Sequence, residues 1–109
     1  MTSESDIQAQ ILDWLRAQFP RAFIRKLPIT QMIVGNGRRV PSPLKGMPDI
    51  LVILEGKYLG IECKRPGMKN RSDQEEQREV QQWLRDAGGI VLVVSSLEET
   101  QSALSFWLP

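Results

Sequence analysis

The spacing of apolar residues predicts that the chain begins with an amphipathic helix. Ser3 and Ser5 are candidate N-caps, the helix is predicted to run to about Gln18, and Pro20 ends it. The apolar residues of this segment recur at intervals of three and four, which is the period of a helix. They are Ile7, Ile11, Trp14 and Leu15.

Extended segments follow this helix. Residues 23–29 give a mixed strand signal, and Gly35-Asn36-Gly37 is typical of a turn or a mobile loop. Two apolar runs then flank a turn signal at Glu55-Gly56-Lys57, which predicts an antiparallel hairpin. The first run, Ile50–Leu54, is apolar throughout, as expected for a strand buried on both faces. The second run ends in Gly60-Ile61-Glu62-Cys63-Lys64.

The last third of the chain predicts a helix, a strand and a helix. The first helix runs from about residue 73 to residue 87, with an apolar stripe and with Gln77 on or beside that stripe. The stripe consists of Val80, Trp83 and Leu84. The strand Ile90–Val94 is almost wholly apolar and is therefore predicted to be central in the sheet. Ser96 and Glu99 have the spacing of a capping box for the last helix.

The order of these elements, α-β-β-β-α-β-α, predicts an α/β fold. A length of 109 residues with 41% hydrophobic content fits one domain over residues 1–109. Trp14, Trp83 and Trp107 are interpreted as core or interface residues rather than base-stacking platforms, because each lies in a helical apolar pattern.

Three ionisable residues occupy the ends of the two hairpin strands. An antiparallel hairpin brings Asp49 beside Glu62 and Lys64, and the period of a strand places Glu62 and Lys64 on one face and Cys63 on the other. Mg²⁺ prefers oxygen ligands and takes one or two carboxylates from a protein. We therefore expect Asp49 and Glu62 to be metal ligands, with the backbone carbonyl of Cys63 as a third oxygen. Lys64 would then orient or deprotonate a water molecule for phosphodiester hydrolysis.

The simpler interpretation is that Asp49 begins a strand after a turn and that Glu62 and Lys64 form a surface pair. Any single Glu-x-Lys is common. The apolar residues around these charges weigh against that interpretation, because charges at the ends of buried strands need a partner or an ion.

The amino-acid composition excludes several kinds of metal site, catalytic site and cross-link. The chain has no His and one Cys, so His-based zinc sites, Ser-His triads and an internal disulfide are excluded. Cys63 is expected to be a small buried residue in a reducing compartment, which predicts a cytoplasmic protein. No apolar run has the length of a membrane span, and residues 1–20 are amphipathic rather than a secretion signal.

The net charge of +1 is unevenly distributed. Residues 38–71 contain eight basic and three acidic residues, a local charge of +5, and the remaining residues carry −4. A basic segment around a metal site suits a polyanion such as DNA, although a solvated loop surface would have the same charge. The candidate nucleic-acid-binding residues are Arg38, Arg39, Lys45, Arg65, Lys69 and Arg71.

The motifs in this order resemble the VRR-NUC (virus-type replication-repair nuclease) domain of the PD-(D/E)XK superfamily. The resemblance rests on Gly46-Met47-Pro48-Asp49, Glu62-Cys63-Lys64, Gln77, the acidic start at Glu4 and the strand after Gly88-Gly89. It implies a restriction-endonuclease-like core, a central mixed β-sheet flanked by helices. It also implies that Asp49 and Glu62 bind metal, that Lys64 is catalytic, that Gln77 lines the site and that Glu4 is an accessory acid.

Two of these roles have alternatives. From the pattern alone, Gln77 is either a hydrogen-bonded core residue or a group that holds the attacking water or a phosphate. Glu4 is either an accessory acid of the site or a residue that stabilises the dipole of the first helix and has no catalytic role.

The resemblance also implies a function. We expect a Mg²⁺-dependent, structure-selective DNA endonuclease of the phage type, with Mn²⁺ as a substitute, acting on branched DNA such as Holliday junctions. The alternatives are a non-catalytic nucleic-acid-binding module and a flap or nicking nuclease of the same superfamily. Two symmetric incisions need two sites, so a homodimer is expected. Its candidate interface residues are Met32, Ile33, Phe106, Trp107 and Leu108.

Overall fold

The computed structural model describes residues 3–29, 32–67 and 75–107. Its helices are α1 Glu4–Gln18, α2 Glu75–Asp86 and α3 Leu97–Ala103, followed by a short 3-10 helix, Ser105–Trp107. Its strands are β1 Phe23–Lys26, β2 Met32–Ile33, β3 Arg39–Val40, β4 Ile50–Leu54, β5 Lys57–Cys63 and β6 Ile90–Val94. No helix among these residues is long and apolar enough to cross a membrane. The prediction of one domain over 1–109 includes residues beyond this description and stays a prediction.

Four strands form a mixed sheet in the order β1-β4-β5-β6. The pairs β1–β4 and β4–β5 are antiparallel, and β5–β6 is parallel with α2 as the crossover. The predicted mixed sheet flanked by helices is therefore confirmed. The structure adds a two-stranded ribbon, β2–β3, where the sequence indicated a turn or a loop.

The hairpin that sets the register is closed by a two-residue turn. Glu55 and Gly56 have φ values of 52° and 78°, as required at both central positions of a type I′ turn. This tight turn pairs Leu54 with Lys57 and, further along, Ile50 with Ile61. The hairpin predicted from the turn signal is confirmed.

The sheet has one face against α1 and α3, here called the first face, and this face forms the hydrophobic core. The strand residues that point into it alternate along β4, β5 and β6, and the helix residues recur at helical spacing. The most deeply buried members are Ile7, Ile11, Leu15, Ile50, Val52, Leu59, Ile61, Cys63, Val94 and Leu104. The amphipathic pattern predicted for α1 is confirmed, and Ser3 is its N-cap, since the Ser3 hydroxyl accepts from the N–H of Asp6. Trp14 packs against this core, and its ring meets Phe19 edge-on.

The structure corrects three predictions about the second face of the sheet and the elements near it. This face is only partly covered. Strand β4 is not buried on both faces, because Ile53 on the second face is 41% exposed. Strand β6 is not central; it lies at the edge of the described sheet. Trp83 is 78% exposed and is therefore not a core residue, while its predicted alternative as an interface residue stays a prediction. The buried residue of α2 is Gln81. The reason is that α2 packs chiefly against β6 and turns the Trp83 side of its stripe toward solvent.

The capping prediction for the last helix is confirmed for Ser96, whereas the Glu99 carboxylate bonds one residue before the position that a capping box predicts. Ser96 caps α3, and its hydroxyl accepts from the N–H of Glu99. The carboxylate of Glu99 accepts in turn from the N–H of Ser95, one residue before the cap. The side chain of Trp107, predicted to be apolar core or interface, lies outside the described part.

Candidate active site

Asp49 is held at the sheet by the neighbouring strand. It immediately precedes β4, and the β4–β5 register places it opposite Glu62. Its Oδ2 accepts a hydrogen bond of 2.9 Å from the backbone N–H of Cys63. The position that the hairpin predicted for this carboxylate is therefore the position observed.

Glu62 and Lys64 lie on the same face, as the period of the strand predicted. Lys64 Nζ donates to Glu62 Oε2 at 3.0 Å, and the two side chains are only 8% and 4% exposed. The other carboxylate oxygen, Glu62 Oε1, is buried and has no hydrogen-bond partner. Glu62 and Lys64 therefore do not form the surface pair of the simpler interpretation.

Burial raises the pKa of both carboxyl groups. For Asp49 the increase comes from desolvation, and the hydrogen bond from Cys63 lowers its pKa in part. For Glu62 desolvation and the charge of Asp49 raise the pKa to about 7, against a smaller lowering by Lys64. One ammonium therefore does not balance two apposed carboxylates, and the cluster is short of positive charge.

Gln77 and Glu4 also face this cluster. Gln77 lies in the first turns of α2, and its side chain makes a hydrogen bond that lowers the pKa of Glu62. Glu4 is the first residue of α1, and its charge raises the pKa of Asp49. Asp49, Glu62 and Lys64 are thus held together at the sheet, Gln77 interacts with Glu62, and the charge of Glu4 acts on Asp49. Their catalytic roles stay predictions.

The residues present fit a divalent cation bound by two carboxylates. The unpartnered Glu62 Oε1 and the raised pKa values of Asp49 and Glu62 are both features that a bound cation would relieve. Among the described residues, no group of three or more His, Cys, Asp or Glu side chains is arranged around a metal position. A two-carboxylate site is nevertheless what Mg²⁺ usually takes from a protein.

Cys63 has the structural role that the sequence predicted. Its side chain is fully buried on the opposite face of the sheet, in the core. Burial raises the pKa of its thiol to about 12, and the charges of Asp49 and Glu62 act in the same direction. Because the thiolate is the nucleophilic form, this cysteine is not a nucleophile.

The structure describes four of the six predicted basic residues, and their role in nucleic-acid binding stays a prediction. Arg38 and Arg39 are exposed at the tip of the β2–β3 ribbon, and Arg65 is exposed just after Lys64. Lys45 pairs with Glu76 at 3.1 Å, which links the loop before Asp49 to α2. Lys69 and Arg71 lie outside the described residues.

Two further polar residues were missed by the sequence interpretation. Lys26 ends β1 opposite Ile50, and its charge lowers the pKa of Cys63. Gln8 is buried on α1 with an unpartnered Oε1, one turn after Glu4. The signal for Gln8 was its spacing of four from Glu4, which places both on one helix face.

The fold and the cluster define the class of this domain: a mixed α/β sheet in which paired carboxylates and a lysine meet at the ends of two neighbouring strands. A solved structure described as a VRR_NUC domain has this architecture. It is 25% identical to this chain, covers 98% of this chain and 99% of its own, and superposes with a TM-score of 0.68. The expected resemblance to the VRR-NUC domain, with its restriction-endonuclease-like fold, is therefore confirmed. The sequence matches no protein-family model and no curated protein.

Proposed function

We propose that this protein is a divalent-metal-dependent nuclease of the PD-(D/E)XK superfamily that hydrolyses phosphodiester bonds in DNA. The observation that carries the proposal is the buried, unpartnered Glu62 Oε1 beside the Asp49 carboxylate. A purely structural cluster would leave that oxygen unsatisfied at a cost of about 1–3 kcal/mol. The likeness to a VRR_NUC domain supports the same conclusion.

Asp49 and Glu62 would hold Mg²⁺, with Mn²⁺ as a substitute, and the backbone carbonyl of Cys63 would supply a third oxygen. The cation would neutralise charge on the scissile phosphate and lower the pKa of a bound water. Asp49 is oriented for this role by the N–H of Cys63, and Glu62 by Lys64.

Lys64 and Gln77 complete the proposed chemistry. The ammonium of Lys64 has three donors, and the bond to Glu62 uses one of them, so another can point at a phosphate oxygen or at the attacking water. Gln77 restrains Glu62 from the side of α2. Glu4 acts as an accessory acid at the edge of the cluster.

The proposed substrate is branched DNA, with Holliday junctions as the leading example. A phage-type, stand-alone enzyme would resolve a four-way junction by two symmetric incisions, and a two-fold homodimer would supply the two sites. A cytoplasmic location is proposed from the single buried Cys63.

The test is a cleavage panel of linear duplex, splayed arm, flap and four-way junction, with Mg²⁺ or Mn²⁺ and with a chelator as the control. Wild-type protein is compared with the isosteric variants Asp49→Asn and Glu62→Gln and with Lys64→Ala. All three are expected to lose cleavage. Metal binding, measured by calorimetry, is expected to weaken in the first two and to persist in Lys64→Ala.

Each alternative corresponds to a distinct result. Full cleavage by Lys64→Ala under the same metal would contradict the proposed mechanism. Tight DNA binding without cleavage under either metal would favour a non-catalytic binding module. Cleavage of flaps or nicking of duplex, with four-way junctions left intact, would assign a flap or nicking nuclease instead.

A further inference from the structure

The β2–β3 ribbon has a well-defined tip. The N–H of Val34 donates to the carbonyl of Arg38 at 2.9 Å, and the N–H of Gly37 donates to the carbonyl of Val34 at 2.8 Å. Gly37 has φ +81°, which closes a three-residue hairpin loop, and Asn36 Oδ1 accepts from the N–H of Arg38 at 3.0 Å. These bonds hold the backbone of Arg38 in place at the tip.

The base of the ribbon is joined to the candidate active site. The chain leaves the sheet at Leu27, whose N–H donates to the carbonyl of Asp49 at 2.8 Å, and it returns through Pro48 to Asp49 itself. The buried Ser42 closes the base: its hydroxyl donates to the carbonyl of Pro28 at 3.2 Å and accepts from the N–H of Leu44. The five residue steps from Pro28 to Ile33 span at most about 18 Å. A DNA molecule with its scissile phosphate at Asp49 is within reach of the ribbon.

One face of the ribbon combines an apolar side chain with a cation. Ile33 pairs with Arg39 across the ribbon, so both project from the same face, while Met32 and Val40 project from the other. Ile33 is 71% exposed, compared with 45% for Met32. An isoleucine this exposed on a short ribbon contributes little to folding.

The chain segment that contains the ribbon carries ionisable residues of one sign. Residues 14–48 contain no Asp or Glu. They contain seven basic residues: Arg16, Arg21, Arg25, Lys26, Arg38, Arg39 and Lys45. A ribbon with arginines at its tip and no acidic residue in its segment is complementary to a phosphate backbone.

We propose that the β2–β3 ribbon is the branch-recognition element of this protein: Ile33 packs against the base pair exposed at a branch point, and Arg38 and Arg39 bind the phosphates of the flanking strands. This proposal rests on the proposed nuclease function and names how its substrate is selected. A branch point interrupts stacking, so the terminal base pair already presents an apolar surface. An apolar wedge against intact duplex must first separate stacked bases at a cost. The ribbon therefore favours branched over linear DNA.

The test measures DNA binding in the presence of a chelator, so that cleavage plays no part. Ile33→Thr keeps the β-branched shape and removes most of the apolar surface, and Met32→Thr is the matched control on the other face. Fluorescence anisotropy on a four-way junction and on a linear duplex is expected to show about a tenfold loss for the junction in Ile33→Thr and less than about a twofold loss for the duplex. Met32→Thr is expected to bind both as the wild type does.

The arginines give a second, independent readout. Arg39→Gln is expected to weaken binding to both DNAs and to reduce the slope of log K against log salt by about 1, the value for one phosphate contact. Lys57→Gln, at the turn end of the β4–β5 hairpin and away from Asp49, is the control and is expected to leave the slope unchanged. A 2-aminopurine placed at the branch is expected to change its fluorescence on binding of the wild type and not of Ile33→Thr.

The results separate this proposal from the proposed catalysis. If Ile33→Thr binds and cleaves the junction as the wild type does, the ribbon proposal is wrong and the nuclease function stands. If Ile33→Thr loses junction preference while wild-type protein cleaves nothing with metal, the ribbon proposal stands and the catalytic proposal fails. If light scattering shows that Ile33→Thr dissociates a dimer and its junction binding recovers at higher protein concentration, Ile33 is a contact between copies and the ribbon proposal is overturned.

Discussion

The Asp49 carboxylate occupies a hydrogen-bonding position of the sheet, because its Oδ2 accepts the backbone N–H of Cys63 at 2.9 Å. The side chain of Asp49, one residue before β4, thus adds one hydrogen bond to the ladder between β4 and β5. This bond fixes the carboxylate against the strand that also presents Glu62 and Lys64, on the opposite face from the Cys63 thiol. The geometry of the cluster therefore follows from backbone pairing and does not depend on a flexible loop.

The first prediction concerns the pH dependence of stability in the metal-free protein. The folded-state pKa of Glu62 is raised from 4.5 to about 7, so the folded state binds more protons than the unfolded state between these values. Stability is therefore expected to fall as the pH rises through this window, by up to about 3 kcal/mol, and Asp49 acts in the same direction. Thermal unfolding with a chelator at several pH values measures this change in stability.

Glu62→Gln is the control for this pH effect. The variant cannot ionise, so its stability is expected to exceed that of the wild type above pH 7 and to change less between pH 4.5 and 7. Mg²⁺ is expected to raise the unfolding temperature of the wild type most above pH 7, where the carboxylates are charged. A wild type whose metal-free stability rises through this window would contradict the pKa assignment.

The second prediction concerns Lys64 and stability. Lys64→Met keeps the length of the side chain but removes the charged donor to Glu62 Oε2, and the other oxygen of this buried carboxylate already has no partner. The metal-free variant is expected to lose about 1–3 kcal/mol of stability at neutral pH and less at pH 5. Lys57→Met, at the exposed start of β5, is the matched control and is expected to change little. Equal stability of the two variants would show that the buried pair contributes nothing.

The third prediction concerns Gln77. If it restrains Glu62 during the reaction, Gln77→Ala is expected to lower kcat by about tenfold or more and to change DNA affinity by less than about twofold. Gln82 lies on the exposed side of the same helix and bonds only Asp86 in the described part, so Gln82→Ala is the control. Single-turnover cleavage with a separate binding assay distinguishes the effects. A loss of affinity alone would place Gln77 outside the catalytic cluster.

The fourth prediction concerns the packing that supports Asp49. A Cβ at Gly60 would lie 2.7 Å from Pro48 Cγ and 2.6 Å from the Tyr58 hydroxyl, so Pro48 must move. Gly60→Ala is expected to cost about 1–3 kcal/mol and to weaken metal binding, because Asp49 follows Pro48 directly. Gly35→Ala is the control, since its Cβ would meet nothing within 4 Å. Unfolding by denaturant measures the cost, and unchanged stability in Gly60→Ala would refute this packing.

The fifth prediction concerns the oligomeric state. Phe106 is 64% exposed. Of the three candidate interface residues outside the ribbon, it is the one whose side chain the structure describes. Light scattering at micromolar concentration is expected to give a dimer, and Phe106→Ser is expected to shift it toward the monomer while leaving the metal affinity of each site unchanged. A strict monomer that leaves four-way junctions uncut would refute both the dimer and the junction-resolving assignment.

Local sequence determined the parts of this protein that depend on neighbours a few residues apart. The caps Ser3 and Ser96 are set within one helical turn, and the Glu55-Gly56 turn fixes the hairpin register. Because side chains alternate along a strand, that register alone placed Asp49 opposite Glu62. The central carboxylate pair and its lysine were therefore predictable from the sequence.

Only the tertiary structure decided what depends on packing between distant segments. An apolar run such as Ile90–Val94 looks the same at the edge of a sheet as at its centre, because helices can cover it in either place. The exposure of Trp83 and the contact of Gln77 with Glu62 both follow from how α2 docks, and Gly46 permits the close approach of Val80 there. The short β2–β3 ribbon has too few residues for a periodic signal, so its pairing became visible only when both strands were in place.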